Sequence, residues 1–128
     1  MAISIHMVYL GIDYGERRIG LAKGDDRLKV ATPFKTVTNE SDILNVLADI
    51  VKTEVIEKII VGIPMSFDGG ENEFTEKIME FAEDLEARTG LAVATINEIF
   101  SSKIAAKNSS DVDASSAALI LQTYLDQI

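Results

Sequence analysis

The stretch Gly11-Ile-Asp-Tyr-Gly-Glu-Arg-Arg-Ile-Gly20 decides how this chain is read. It opens inside residues 7–13 (MVYLGID), a continuous apolar run that ends on a carboxylate, the pattern of a strand buried on both faces. Residues 14–17 turn the chain, and a second strand follows over about 18–24. Gly24-Asp25-Asp26 read as a hairpin turn into a third strand over about 28–38. That strand contains Pro33, which has no N–H for a ladder and so belongs on a sheet edge. The spatial order is then three, two, one, with the first strand central.

Beyond residue 38 the pattern alternates between helix and strand. Asn39 or Ser41 can cap a helix whose apolar face is Ile43, Leu47, Ile50 and Val51. Residues 58–62 (KIIVG) form a short buried strand. Residues 71–89 form a helix with Phe74, Ile78, Phe81 and Leu85 on one stripe and Gly90 as its stop. A fifth strand spans 91–97, a short helix about 99–107, and a last helix about 113–127, striped by Ala114, Ala117, Ala118, Leu121 and Leu125. Three meandering strands followed by alternating helix and strand predict an α/β fold: a mixed five-stranded sheet of order 3-2-1-4-5, strand 2 antiparallel, with helices on both faces.

The chain has 128 residues, a length that suits one domain, taken as 7–128. Residues 1–6 read as a leader of no assigned function, with Met7 placed where an original start would be. No apolar run approaches a membrane span. The absence of cysteine excludes disulfides, thiolate metal sites and a cysteine nucleophile, and points to a reducing cytoplasm. The sole histidine is His6, so hydrolysis elsewhere in the chain must run on carboxylates, hydroxyls or metal ions. A net charge of −9 argues against indiscriminate binding to phosphate backbones. Yet seven acids crowd residues 71–86, while Arg17, Arg18, Lys23, Arg27, Lys29 and Lys35 lie within 17–35, which predicts a basic side near Asp13.

In open α/β sheets, sites form beyond the carboxyl ends of the parallel strands. If strands one, four and five are parallel, Asp13, the loop 62–70 (GIPMSFDGG) and Glu98 share one rim, and Asp113 joins them if the last helix packs back across the sheet. Carboxylates gathered on one rim repel unless a cation lies between them, and Mg²⁺ or Mn²⁺ takes carboxylate oxygens together with substrate phosphate. Two such ions roughly 3.5–4 Å apart can activate the attacking water and stabilise the leaving oxygen of a phosphodiester. Each residue alone has a plainer role: Asp13 suits an Asx turn, Asp113 a helix N-cap, Ser101 and Ser102 a cap instead of a phosphate contact, and Arg17 and Arg18 ordinary hairpin charges instead of a polyanion guide.

Three blocks, LGIDYGERRIGLA, IVGIPMSFDGGENEFTEKIMEFAEDL and VDASSAALILQTYLD, resemble the opening hairpin, the glycine-proline loop with its acidic helix, and the closing helix of the YqgF/RuvX family. The resemblance runs over nearly the whole chain from Met7. It implies an RNase H-like fold, with Asp13, Glu98 and Asp113 as the catalytic, metal-binding acids. It also implies a cytoplasmic nuclease trimming the 5′ end of pre-16S rRNA, with Holliday junction cleavage by the same acids as the alternative. Substrate contacts are then expected from Arg17, Arg18, Ser101, Ser102 and Lys103, and the protein is expected to be a monomer or a homodimer. Two departures from the family pattern stand out, one of them a stretch between Glu98 and Asp113 that is shorter than usual and lacks a basic residue just ahead of Asp113, Lys103 and Lys107 being the nearest. Where the family carries Asp-Glu-Arg, this chain reads Asn97-Glu98-Ile99. The lost guanidinium bears on phosphate affinity more than on metal binding. Two further classes compete: a non-catalytic RNA or protein binding module, and an actin-like ATPase, which needs two such domains where 128 residues supply one.

Overall fold

The computed structural model describes residues 6–64, 73–98 and 112–128. Its elements are β1 (Val8–Tyr14), β2 (Arg18–Asp25), β3 (Thr32–Thr38), α1 (Ile43–Thr53), β4 (Lys58–Pro64), α2 (Glu73–Thr89), β5 (Val93–Glu98) and α3 (Val112–Leu125). The sheet order is β3-β2-β1-β4-β5. β1 pairs antiparallel with β2 and parallel with β4, and β4 pairs parallel with β5. The predicted order holds, with Pro33 on the outer strand. The expected helix over 99–107 and the loop residues 65–70 lie outside the described residues.

Strand parity divides the core into two layers. On one face Leu10, Ile12, Ile19, Leu21, Ile59, Val61 and Ile63 pack against Ile43, Leu47 and Val51 of α1 and Ile78, Phe81 and Leu85 of α2. On the other, Tyr9, Ala22 and Ile60 pack against Ala117, Ile120, Leu121 and Leu125 of α3. That second face is unusually flat because Gly11, Gly20 and Gly62 carry no side chain beneath the helix. A Cβ on Gly11 would lie 2.7 Å from Leu121 Cβ. α3 meets that face with the small Ala114 and Ala117 in its first half and with Ile120, Leu121 and Leu125 farther along.

Several boundaries differ from expectation for local reasons. β2 runs on to Asp25 and the turn falls later, because Asp25 Oδ1 accepts the N–H groups of Arg27 and Leu28 at 3.1 and 2.7 Å, closing an Asx turn. β3 begins at Thr32 and β5 at Val93, so residues 28–31 and 91–92 are connections. The N-cap of α1 is Asp42, without a side-chain cap. Asn39 donates instead to the Gly15 carbonyl. The predicted basic side near Asp13 does not form. β2 runs antiparallel to β1 and carries Lys23 away from that end to pair with Glu54, and Lys29, in the connection beyond it, donates from Nζ to the Ile128 carbonyl. Of the six bases, Arg17 and Arg18 stay at the Asp13 end.

α1 ends in a Schellman motif in which Ile56 N–H reaches Val51 O and Val55 N–H reaches Lys52 O. Its left-handed position is Val55, at φ 54°, where a β-branched side chain crowds the backbone. Val55 is 68% exposed, so it gains little from burial in return. Val55→Gly is therefore expected to raise stability by about 1 kcal/mol, read as a melting point higher by roughly 3–5 °C. An unchanged or lower melting point would show that Val55 is not strained.

Candidate active site

Alternation along the strands puts Asp13 and Glu98 on the face of the sheet that α3 covers. Asp13 lies two residues beyond Gly11, which faces Leu121 of α3, and Glu98 lies two beyond Ile96, which also packs in the α3 layer. Both stand at the carboxyl ends of their strands: Asp13 opposite Gly20 in the β1–β2 register, and Glu98 opposite Pro64 in the β4–β5 register. Asp113, in the first turn of α3, arrives from above.

Glycine controls how closely it arrives. A Cβ on Gly20 would fall 1.8 Å from the Asp113 carbonyl oxygen and 2.1 Å from its carbon, so the helix backbone occupies the space that a side chain would fill. Because Gly20 is the register partner of Asp13, this contact sets Asp113 beside the end of β1. Gly62 makes the matching space on β4, where a Cβ would lie 2.4 Å from Ile120 Cδ1 and 3.3 Å from Glu98 Oε2. The Glu98 carboxylate thus leans over β4, toward the middle of the rim.

The turn carrying Asp13 is held from the opposite face and from the side. The Tyr14 ring packs on Phe81 with centroids 4.6 Å apart and on Phe74 at 6.1 Å. Asn39 ties the turn to the end of β3, its amide donating to Gly15 O and its backbone N–H to Arg17 O, both at 2.8 Å. The sequence offered Asn39 only as a helix cap, and an Asn following a strand gives no local sign of this anchoring role.

Arg18 faces the same side as Gly20 and stands with Nε 3.0 Å from Asp113 Oδ2. The guanidinium is off the direction of a hydrogen bond, and among the described residues the buried Oδ2 has no hydrogen-bond donor. Thr36, the register partner of Gly20 on β3, likewise has a buried hydroxyl oxygen without a partner. Asp113 itself is partly buried, its side chain 21% exposed, while that of Arg18 is 65% exposed. Among the described residues no three acids are gathered closely enough to cage an ion alone. Ser101, Ser102 and Lys103 lie outside the described residues, whereas Arg17 stands exposed in the turn before β2.

Residues 7–127 match the family model described as RuvX: Holliday junction resolvase. The chain belongs to the RuvX family. Its RuvX relatives include proteins named "Putative pre-16S rRNA nuclease" from Syntrophus aciditrophicus (strain SB), 38% identical with 95% of this chain and 90% of the relative covered, and from Anaeromyxobacter sp. (strain Fw109-5), 37% identical with 94% and 97% covered. Among solved structures, Thermus thermophilus RuvC in complex with a Holliday junction substrate superposes with a TM-score of 0.61 at 16% identity, covering 94% of each chain. The fowlpox virus Holliday junction resolvase superposes at 0.56 and 11% identity, covering 95% of this chain and all of that one. This RuvX chain therefore has the RuvC fold of the RNase H-like class. None of its described helices is long and apolar enough to cross a membrane.

Proposed function

We propose that this chain is a divalent-metal-dependent nuclease that cuts structured RNA by phosphodiester hydrolysis, with the 5′ region of pre-16S rRNA as its substrate. The observation that carries the reading is the seating of Asp113 on Gly20, which brings a carboxylate with a buried, donorless oxygen to the strand end bearing Asp13. Membership in a family whose members carry nuclease names supports it.

The residues suit a hard cation. Every donor in the set is a carboxylate oxygen, and an anionic oxygen buried without a hydrogen-bond donor is stabilised by a nearby cation. Mg²⁺ typically takes one or two carboxylates and completes its shell with water and substrate phosphate, so the lack of a closed three-acid cage accords with a site that the substrate completes. Asp13, Glu98 and Asp113 would hold the divalent ions. Bound there, divalent ions would neutralise phosphate charge and activate water for attack. The chain's own groups do the rest. Gly20 and Gly62 set the spacing of the acids, Tyr14 and Asn39 hold the Asp13 turn, and Arg17 and Arg18 offer guanidinium groups to the strand being cut. Residues 7–128 would act as one domain, and the lack of cysteine suits work in the cytoplasm.

Junction cleavage is the second reading, favoured by the family model's description and requiring a two-fold dimer with two sites to cut opposing strands. The test sets a 5′-extended 16S precursor RNA beside a four-way DNA junction, each with Mg²⁺ or Mn²⁺, and measures the protein's mass in solution. Metal-dependent RNA cleavage is expected. Junction cutting alone, by a dimer, would replace the first reading with the second, and cleavage of neither would favour a binding module.

A further inference from the structure

Arg18 and Asp113 raise a question that the nuclease reading leaves open. A guanidinium already stands at ion-pair distance from an oxygen that a divalent ion would need. The contact is not an optimised pair: Nε is out of line for a hydrogen bond to Oδ2, and the arginine side chain remains 65% exposed. Exposed pairs of this kind are weak, whereas the carboxylate end is buried and depends on some cation for compensation. The acid is fixed, since the backbone behind it rests on Gly20. The arginine, with its side chain largely exposed, is not held in the same way.

We infer that Arg18 is a displaceable counter-ion. It neutralises Asp113 in the metal-free protein, and a divalent ion that takes Oδ2 releases it toward a substrate phosphate. The inference rests on the nuclease reading and deepens it by linking two binding events through one side chain. One oxygen buried in this way cannot be satisfied by both cations, so metal and Arg18 compete for it. An arginine freed from a carboxylate is in turn a better phosphate ligand, because its fork is no longer shared with a competing anion. Linkage then requires reciprocity: metal strengthens nucleic-acid binding, and nucleic acid strengthens metal binding by the same factor. Arg18 is on this account a positioning residue that acts through Asp113 and the phosphate.

The competition gives a signature that a simple phosphate contact lacks. Removing Arg18 should tighten metal binding while weakening nucleic-acid binding. Arg17, adjacent and exposed but not the residue that pairs with Asp113, should affect only the second when removed. The probes are Mn²⁺ alone, followed by calorimetry and by the shift in melting temperature, and a fluorescent RNA hairpin with a single-stranded 5′ extension. Hairpin binding is followed by anisotropy in chelator and in Mn²⁺, with its integrity checked on a denaturing gel. Arg18→Ala is expected to bind Mn²⁺ about two- to fivefold tighter than wild type, the range that an exposed ion pair spans. It is also expected to lose most of the Mn²⁺-dependent gain in hairpin affinity. Arg17→Ala should bind Mn²⁺ as wild type does and keep the Mn²⁺-dependent gain. Arg18→Lys should retain part of the competition, because the charge remains without the fork. Mn²⁺ binding that is unchanged or weaker in Arg18→Ala would overturn the inference and leave the nuclease reading intact. A wild type that neither binds nor is stabilised by Mn²⁺ would overturn both.

Discussion

Gly20→Ala is expected to cost about 2–3 kcal/mol of stability and to remove most divalent-dependent cleavage, although Gly20 carries no group that touches substrate. The added carbon would fall 1.8 Å from the Asp113 carbonyl oxygen and 2.8 Å from the Ala114 nitrogen, and all of the nearest atoms are backbone. A side chain can rotate out of such a clash; a helix can only move as a body. The start of α3 must lift from β2, carrying Asp113 away from the end of β1. Gly62→Ala supplies the comparison. There the nearest atoms are the end of Ile120, which can change rotamer, so its loss should be about half as large. Thermal melting of both variants, with and without Mn²⁺, checks the prediction together with cleavage. A Gly20→Ala protein with wild-type melting temperature and full cleavage would show that the first turn of α3 is not the seat of a functional acid.

The same geometry shows what a single sequence discloses. The sheet order was legible because its determinants are local: an apolar run of six residues that ends on Asp13, a hairpin too short for any crossover, and a proline that confines β3 to the edge. The shared rim was legible from the alternation of strand and helix. The charge pattern was misread because proximity in sequence was taken for proximity in space. Six bases within 17–35 are distributed along antiparallel strands, so Lys23 and Lys29 finish at the far end from Arg18. Cap choice was misread because α1 starts only at Ile43, with Asp42 at the N-cap, which leaves Asn39 in the connection with its amide donating to the Gly15 carbonyl. The Arg18–Asp113 pair could not be read at all. It joins the start of β2 to the start of α3 and exists only because Gly20 admits the helix backbone. Val55 shows the converse: nothing in its sequence context marks a left-handed residue, and the helix end required one there regardless of side chain.

Asp13→Asn is expected to lower divalent-dependent cleavage on the order of 10³-fold while leaving the fold in place, because losing one ligand forfeits several kcal/mol of charge stabilisation at the reacting phosphate. The substitution is nearly isosteric. Leu10 and Ile12 remain in the core, Tyr14 remains on Phe81, and the β1–β2 register does not involve the side chain. Thermal melting in chelator and in Mn²⁺ separates a role in metal binding from a role in the fold. The signature is a split between conditions: a cooperatively folded protein in chelator, and loss of most of the stabilisation that Mn²⁺ confers on wild type. A general loss of stability would instead mean that Asp13 serves the turn, as an Asx residue does. Full cleavage with an intact fold would remove Asp13 from the chemistry altogether, and the metal would then have to be sought between Glu98 and Asp113.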